Sequence, residues 1–404
     1  MPELLSPAGN FEKMKAAIRY GADAVYLAGK RFGMRSAAEN FTDDELAEAI
    51  AYAHSFGRKV HITVNTLPRT NEYPALREYF EFLGTVKPDA LIIADAGVFA
   101  LAREVLPETE IHVSTQAGIV SAADCLFWRS LGAKRAVLAR ELSLDEIIEI
   151  RRNVPDDFEI ETFVHGSMCV SFSGRCLLSN ALTGRDGNRG SCAQPCRWSY
   201  TISEEKRKDS PMPIEETPDG TFIMSSKDLC MIEHIPELIR AGISSFKIEG
   251  RMKSAYYTAV VTNAYRAAID GYETLGEGYT FDSRWMNELE SVSHREYATG
   301  YFYGAPCDNA QTTSSLGYIR DKAYLAVATG EKMNGLTGFR QKNKVSAGEY
   351  AEIVSPGKFG RGFTVDKIYN ENGEEIESAP HPDMKFYVSV PFEVSEGDIL
   401  RGGK

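Results

Sequence analysis

The chain has 404 residues and a mass of 44.7 kDa, a length that suggests about two domains and excludes a small scaffold held together by disulfides. Hydrophobic residues make up 43% and charged residues 25% of the chain, as in folded globular proteins. The net charge of -12 gives no overall field to attract nucleic acid, so any RNA contact must be local. Because the sequence has no long apolar run and no signal-peptide pattern, it predicts a cytoplasmic protein with no membrane partner.

Short apolar runs alternate with longer amphipathic stretches through the first part of the chain, which is the pattern of repeated strand–helix units. Asn10, Thr42 and Ser143 stand where helices should begin and can cap free backbone amides. The predicted strands are Glu3–Ser6, Ala22–Ala28, Lys59–Asn65, Asp89–Asp95, Glu110–Thr115, Lys134–Ala139, Phe158–His165 and Ser244–Ile248. Eight such strands favour an α/β fold of the TIM-type (β/α)8 barrel class, although an open doubly wound sheet fits the same pattern.

From residue 314 onward, short alternating runs are separated by Gly, Asn-Gly and Pro, which predicts a small C-terminal all-β barrel domain. We therefore place the catalytic barrel at residues 1–272 and the C-terminal domain at 314–404, with a linker at 273–313. A cysteine-rich insertion at 167–230 follows strand 7 of the barrel. Loops after the strands of such barrels form the face that carries active sites, so the insertion should lie beside the chemistry.

Four of the seven cysteines, Cys169, Cys176, Cys192 and Cys196, have the spacing C-x6-C-x15-C-x3-C. Thiolates hold either zinc or an iron–sulfur cluster. Structural zinc sites usually have two tight ligand pairs, whereas only one pair is tight here, and the nearby glycines and serines let backbone amides approach a larger cluster. The pattern therefore favours an iron–sulfur cluster, with zinc and an accidental grouping left open. Cys230 is an alternative fourth ligand.

Polar residues recur on predicted strand faces that should point into the barrel. Glu161 and His165 share one face of strand 7 and are the predicted proton-transfer pair. His112, Gln116 and Glu249 are further candidate catalytic residues on strands 5 and 8. Because buried polar groups cost free energy unless they are paired or used, their convergence predicts a binding site.

Two further sets of residues are candidates for substrate binding. Arg140, Lys247 and Arg251 suit a small anionic donor, because cationic side chains bind carboxylates, and Asp95 ends the fourth predicted strand at the same face. The insertion supplies the second set, Arg175, Arg197 and Trp198. Arginines beside aromatic residues can grip phosphates and stack on an unpaired base, which predicts a local RNA contact.

The segment ETFVHGSMCVSFSGRCLLSN resembles the signature of peptidase family U32, the collagenase-like proteins, and other segments extend the resemblance: LLSPAGN, GADAVYL, HVSTQ and KIEGRMKS. The resemblance covers Glu3 to Tyr272 and implies oxygen-independent hydroxylation with a 4Fe-4S cluster. It implies Cys169, Cys176, Cys192 and Cys196 as ligands, with Cys230 still in contention. It also implies prephenate as the likely source of the hydroxyl oxygen.

The resemblance implies one of three substrates, because branches of this family act on wobble uridine of tRNA, on ribosomal RNA cytidine or on ubiquinone precursors. The GSCAQPCRW element and the β-rich tail are most similar to the branch that forms 5-hydroxyuridine in tRNA. An electron-transfer partner of unknown identity is expected. Two alternatives remain: a peptidase in which a glutamate and a histidine activate water, and a non-catalytic RNA-binding protein whose metal only staples the insertion.

Overall fold

The computed structural model describes residues 1–34, 39–169, 171–198, 216–217, 220–221, 226–304 and 318–403. The chain forms two compact units. The first comprises Met1–Met14, Ala22–Lys253 and Arg295–Tyr318, and the second comprises Lys15–Gly21, Ser254–His294 and Ile319–Lys404. None of the helices in the described ranges combines the length and apolarity that a membrane span requires.

Parallel strands build the core of the first unit. The first seven are β1 (Glu3–Pro7), β2 (Ala24–Leu27), β3 (Lys59–Val64), β4 (Ala90–Ile93), β5 (Glu110–Val113), β6 (Arg135–Val137) and β7 (Glu159–Ser167). Each pairs with the next along the chain. The intervening helices are α1 (Phe11–Arg19), α2 (Asp43–Ser55), α3 (Tyr73–Val86), α4 (Ala96–Val105), α5 (Ala122–Ser130) and α6 (Leu144–Arg152).

The chain leaves this sheet after β7 and returns to close it. The described elements of the excursion are α7 (Leu178–Thr183), β8 (Glu216–Thr217), β9 (Gly220–Thr221), β10 (Asp228–Cys230) and α8 (Ile235–Arg240). Strand β11 (Ser245–Ile248) then pairs in parallel with both β1 and β7 and completes the ring. The predicted (β/α)8 barrel with an insertion after strand 7 is therefore confirmed, and the open doubly wound sheet is wrong.

Strand β10 is an addition that the sequence did not predict. It pairs antiparallel with the end of β7, which places Cys230 opposite His165. Its other edge pairs with β12 (Tyr297–Ala298), and a buried ion pair of 2.8 Å joins Asp228 to Arg295. The chain is thus pinned to the mouth of the barrel as the insertion ends.

Local capping explains where several helices begin. The Thr42 hydroxyl accepts from the Glu45 amide while the Glu45 carboxylate accepts from the Thr42 amide, and Ser143 and Glu146 repeat this capping box. Asn10 accepts from the amide of Lys13 at 2.9 Å. The helix starts predicted at Asn10, Thr42 and Ser143 are therefore confirmed.

The second unit combines two helices with antiparallel strands. The helices are α9 (Ala255–Leu275) and α10 (Ser283–Glu290). The strands are β13 (Lys322–Met333), β14 (Leu336–Gln341), β15 (Val345–Ser346), β16 (Tyr350–Ser355), β17 (Lys358–Thr364), β18 (Ile368–Tyr369), β19 (Glu375–Ile376), β20 (Ser378–Ala379), β21 (Lys385–Val388) and β22 (Ile399–Gly403). Eight of them form one sheet in the order β17-β16-β22-β13-β14-β21-β18-β19. The all-β character of the tail is confirmed.

The division into units differs from the predicted boundary at residue 272 and from the predicted linker at 273–313. Helices α9 and α10 belong with the C-terminal sheet, because Asn263 donates to the Ser355 and Lys358 carbonyls and Arg401 forms a 2.7 Å ion pair with Glu288. Residues 295–304 return to the first unit, and the remainder of the predicted linker, 305–313, lies outside the described residues.

Candidate functional site

A buried ion network fills the amino-terminal part of the barrel. The Arg135 guanidinium lies 2.6 Å from carboxylate oxygens of Glu3 and of Glu159, and 2.9 Å from Glu161. The other oxygen of Glu161 accepts from Lys247 Nζ at 2.7 Å. Three of these residues, Glu3, Arg135 and Glu159, are the first residues of their strands. The network therefore lies away from the carboxyl ends where a barrel carries its chemistry.

Glu161 is fully buried and its carboxylate is held by two cations. Burial alone would raise the pKa of Glu161, but the charges of Lys247 and Arg135 outweigh burial and lower it. The group is therefore a carboxylate at neutral pH with both oxygens engaged. Its geometry assigns it to stabilising the barrel interior.

The strand that carries Glu161 and His165 is irregular between them. Along the pairing of β7 with β11, Lys247 lies opposite Phe163, but the next residue, Ile248, lies opposite His165. One residue of β7 is skipped, so the alternation of faces does not extend from Glu161 to His165. The imidazole of His165 instead lies 5.3 Å from the ring of Tyr297. The proton-transfer role of Glu161 and His165 stays a prediction.

His112 lies inside the barrel beside a second histidine that the sequence analysis did not select. The rings of His61 and His112 are 4.8 Å apart in an edge-to-face arrangement, and both are buried. Burial lowers the pKa of His61 to about 4 and the pKa of His112 well below its usual value. Both are therefore neutral at physiological pH. The alternation of side chains along β3 and β5 is the sequence signal that places His61 and His112 on the inner face of the barrel.

The carboxyl end of the barrel carries a connected row of polar and aromatic groups. Lys247 Nζ lies over the rings of Tyr26 and Phe163, at 4.7 and 5.4 Å from their centres. The Tyr26 hydroxyl donates to Glu249 at 3.4 Å, and the Arg140 guanidinium lies 5.0 Å from the centre of the Phe163 ring. The structure therefore brings Arg140, Lys247 and Glu249 into one row, as the sequence predicted.

The three cations at this end of the barrel differ in the partners that they contact. Lys247 is already engaged by Glu161. Arg140 donates from one nitrogen to the Ser167 carbonyl at 2.9 Å, and buried Arg251 donates from one nitrogen to the Thr63 hydroxyl at 3.2 Å. A guanidinium has five N–H donors in a planar fork, which is the geometry that suits a carboxylate.

Asp95 has a structural task that the sequence analysis missed. Its carboxylate accepts from the backbone amides of Gly97 and Val98 at 2.9 and 3.0 Å and caps helix α4. The Tyr73 hydroxyl also lies 3.4 Å from it. A residue that ends a strand can also be the first cap of the next helix. Asp95 thus caps a helix, and its role in substrate binding stays a prediction.

An arginine clamp ties the cysteine-rich insertion to the loop after β3. Arg189 meets both oxygens of Glu72, at 2.9 and 2.8 Å, and also donates to the Leu67 carbonyl at 3.0 Å. Two parallel N–H···O bonds fix both distance and orientation. The clamp therefore holds the middle of the insertion against the rim of the barrel.

Two further contacts tie the start of the insertion to the loops after β5 and β6. Arg175 Nε donates to the Gln116 carbonyl at 2.6 Å. Glu141 accepts from the amide and the hydroxyl of Ser173 at 2.7 and 3.0 Å. The Gln116 side chain is itself held by Asn65 at the end of β3, at 2.8 Å. The insertion thus rests on the face formed by the carboxyl ends of the strands, where the sequence placed it.

The four cysteines of the insertion are half-buried thiols. The Leu178 amide donates to the sulfur of Cys176 and the Gln194 amide donates to the sulfur of Cys192, both at 3.4 Å. Backbone donors of this kind stabilise a thiolate and tune a metal bound to it. The donor chemistry at these two positions therefore fits thiolate ligation of a metal or cluster.

Among the described residues, no three Cys, His, Asp or Glu side chains converge on a point where one metal ion can sit. A mononuclear zinc site gathers its donors about 2.0–2.3 Å from one atom, and zinc and a cluster both stay predictions for the insertion. A 4Fe-4S cluster has one thiolate at each of four irons and thus spaces its ligands more widely. Cys196 stands beside α7 in a short helical turn, and Cys230 is buried on β10, so both remain candidates for the fourth ligand.

The outer surface of the insertion carries both predicted and unpredicted residues. Of the predicted ones, Trp198 is exposed, as a base-stacking role requires, and the side chain of Arg197 is outside the described part of the structure. Three apolar side chains, Phe172, Leu177 and Leu182, are also at least half exposed. Sequence alone gives no signal for them, because apolar residues are expected in the core.

Comparison with known protein families assigns most of the chain to two family models. The model of "Peptidase family U32" matches residues 9–312, and that of its C-terminal domain matches residues 320–401. The chain belongs to peptidase family U32. The family resemblance inferred from the cysteine signature is thus confirmed.

Three relatives show the range of activities named within the family. The Bacillus subtilis "tRNA hydroxylation protein P1" is 37% identical over 404 residues, covering 100% of this chain and 95% of the relative. A Methanocaldococcus jannaschii "uncharacterized protease" is 42% identical over 306 residues, 75% of this chain and 73% of the relative. An Escherichia coli 23S rRNA 5-hydroxycytidine synthase is 39% identical over 268 residues, 66% of this chain and 39% of the relative.

In this U32 protein the buried ion network predicts a specific loss of stability in acid. Burial would raise the pKa of Glu3, but neighbouring positive charge, from His61 once protonated and from Arg135, lowers it from 4.5 to about 2. A depressed pKa stabilises the fold above pH 4.5, and this contribution disappears as the pH falls towards 2. We expect Glu3→Gln to lower the free energy of unfolding at pH 7 by about 3 kcal/mol and to flatten its decline between those pH values.

Urea unfolding measured across that pH range checks this expectation. Glu48→Gln, which changes an exposed carboxylate of α2, is the control and should leave the profile unchanged. Equal pH profiles for Glu3→Gln and the wild type would contradict the proposed contribution of the network.

The arginine clamp predicts a local effect on the insertion. Chymotrypsin should cleave the insertion of Arg189→Ala several-fold faster than that of the wild type. The reason is that Glu72 loses both of its hydrogen bonds from Arg189. The partly exposed pair contributes little to overall stability, at most about 1 kcal/mol, so the melting temperature should change by only a few degrees. Mass spectrometry of the fragments locates the cleavage.

Arg77→Ala provides a matched control, because Arg77 forms a 2.7 Å ion pair with Glu104 away from the insertion. It should not accelerate cleavage. Unchanged cleavage of the Arg189 variant would show that the clamp does not hold the insertion in place.

Proposed function

We propose that this protein hydroxylates tRNA, forming 5-hydroxyuridine at the wobble position. The observation that supports the proposal is that Ser173, Arg175 and Arg189 tie the cysteine-bearing insertion to three separate loops at the carboxyl end of the barrel. The full-length relative named for tRNA hydroxylation supports the RNA class and the reaction type. The relative named for rRNA hydroxycytidine synthesis covers a smaller share of both chains, which favours tRNA over rRNA.

A 4Fe-4S cluster is part of this proposal. Cys169, Cys176 and Cys192, with either Cys196 or Cys230, would hold it, and the amide donors on Cys176 and Cys192 would stabilise the thiolates. When bound, the cluster supplies a redox-active Lewis acid beside the mouth. Replacement of the base hydrogen by a hydroxyl is a two-electron oxidation, so we also expect an electron-transfer partner.

The residues of the barrel mouth suit an anionic co-substrate that supplies the hydroxyl, for which we propose prephenate. Arg140 contacts the Ser167 carbonyl and Arg251 contacts the Thr63 hydroxyl at this end of the barrel, and guanidinium groups are the side chains that bind carboxylates in a bidentate fork. Lys247 contributes differently. Its ion pair with Glu161 and its position over Tyr26 and Phe163 make it a support for the aromatic wall behind the ligand.

The peptidase alternative requires a glutamate and a histidine at the barrel mouth that activate water together. The structure engages both oxygens of Glu161 in ion pairs and sets His165 beside Tyr297. No observation on the described residues favours hydrolysis over hydroxylation. The name of the protease relative is the main support for the peptidase alternative.

Nucleoside analysis of a deletion strain tests the proposed function. Mass spectrometry of digested tRNA should show the loss of 5-hydroxyuridine and of nucleosides derived from it, and a plasmid copy should restore them. Loss of 5-hydroxycytidine from rRNA with intact tRNA would instead transfer the substrate to rRNA. Unchanged nucleosides in both RNAs would contradict the proposal.

A cysteine pair separates a catalytic metal site from ordinary core packing. Cys176→Ala should abolish the modification in the complemented strain, because it removes a proposed ligand. Cys125→Ala is the control, since Cys125 is fully buried in α5 outside the insertion. The control should lower the melting temperature by several degrees and retain the modification. A Cys176 variant that is less stable but still active would favour a metal that only staples the insertion.

A further inference from the structure

Large apolar side chains are exposed on the cysteine-rich insertion. Leu177 is 75% exposed, Phe172 is 53% exposed, and Leu182 and Trp198 are also exposed. Single exposed apolar residues are common, but a group of them on one short segment marks an interaction site. The group lies on the segment that is tied to the barrel mouth.

The segment that carries this group is held by its own hydrogen bonds. The Ser179 hydroxyl donates to the Arg185 carbonyl at 2.7 Å and accepts from the Ala193 amide at 2.9 Å. These bonds join helix α7 to the loop that contains Cys192. The ring of Phe172 faces Gly118 in the loop after β5: a side-chain carbon added at that glycine would lie 3.9 Å from the ring. The apolar group is therefore displayed from an ordered frame.

The charge of this segment is opposite to that of the whole protein. Residues 169–198 contain four arginines and one aspartate, whereas the complete chain has a net charge of -12. The aspartate, Asp186, accepts from the Asn188 amide, and Arg189 is neutralised by Glu72. Arg175 and Arg185 are exposed, and each has its Nε fixed by a carbonyl, those of Gln116 and Ser191. These two hydrogen bonds hold the guanidinium groups of both exposed side chains in place.

We propose that these residues form a platform for unpaired nucleotides that flank the target base. The platform comprises Phe172, Arg175, Leu177, Leu182, Arg185 and Trp198. The aromatic rings of Phe172 and Trp198 can stack on exposed base faces, the leucines can pack against the bases, and the arginines can contact phosphates, whereas a duplex hides the base faces. The cationic surplus favours RNA over a protein or peptide as the occupant. The inference rests on the proposed RNA substrate and adds the surface that binds it.

Fluorescence anisotropy with two RNA probes tests the platform. One probe is a hairpin whose unpaired loop contains the target uridine, and the other is a fully paired duplex of the same composition. The wild type should prefer the hairpin. Phe172→Ala should weaken hairpin binding by about fivefold or more, the loss expected for one stacked base.

Phe127→Ala is the matched control, because Phe127 is 57% exposed on α5, outside the insertion. It should leave hairpin binding unchanged. Arg185→Ala should reduce the slope of log affinity against log salt by about 0.7, as expected for one lost contact to a single-stranded phosphate. Arg152→Ala, at an exposed arginine of α6, should not alter the slope.

The outcomes separate this inference from the proposed function. If the wild type binds the hairpin and Phe172→Ala binds it equally well, the platform is overturned while the tRNA substrate stands. If the Phe172 variant retains both binding and modification but loses capture of a protein partner, the surface serves a protein instead. If the wild type binds neither probe and the deletion strain keeps 5-hydroxyuridine, both proposals fail.

Discussion

The buried guanidinium of Arg135 is the interaction on which the barrel depends. It joins carboxylates of Glu3 on β1 and of Glu159 and Glu161 on β7, and Glu161 passes the network on to Lys247 of the closing strand β11. Removing one partner from such a group leaves an unpaired buried charge, which typically costs about 3–5 kcal/mol. The strands that close the ring are thus linked by charge as well as by backbone hydrogen bonds.

This network also decides where chemistry can take place. Its acids and bases neutralise one another near the amino ends of the strands, whereas Arg140 and Arg251 contact the Ser167 carbonyl and the Thr63 hydroxyl toward the other end. The insertion is tied to that same end by Glu72, Gln116 and Glu141. A bound anion, an RNA base and a cluster on the insertion would therefore all meet over the barrel mouth.

Sequence reasoning succeeded where the signal is local. Apolar runs located the strands, short polar residues at Thr42 and Ser143 located helix starts, and the position of the cysteines after β7 located the insertion. It failed where a distant partner decides the role. Glu161 looks reactive until Arg135 and Lys247, 26 and 86 residues away, are seen beside it. The skipped residue before His165 follows from backbone geometry that residue type does not encode, whereas Asp95 is a type of residue that commonly caps a helix and could have been recognised as a cap.

The metal content of protein purified without oxygen tests the central claim most directly, namely that the insertion holds a redox cluster over the barrel mouth. Iron and acid-labile sulfide should each be present at about four per chain, as in a 4Fe-4S cluster. The visible absorption of the cluster should bleach on reduction. One zinc per chain, with neither iron nor sulfide, would contradict the account.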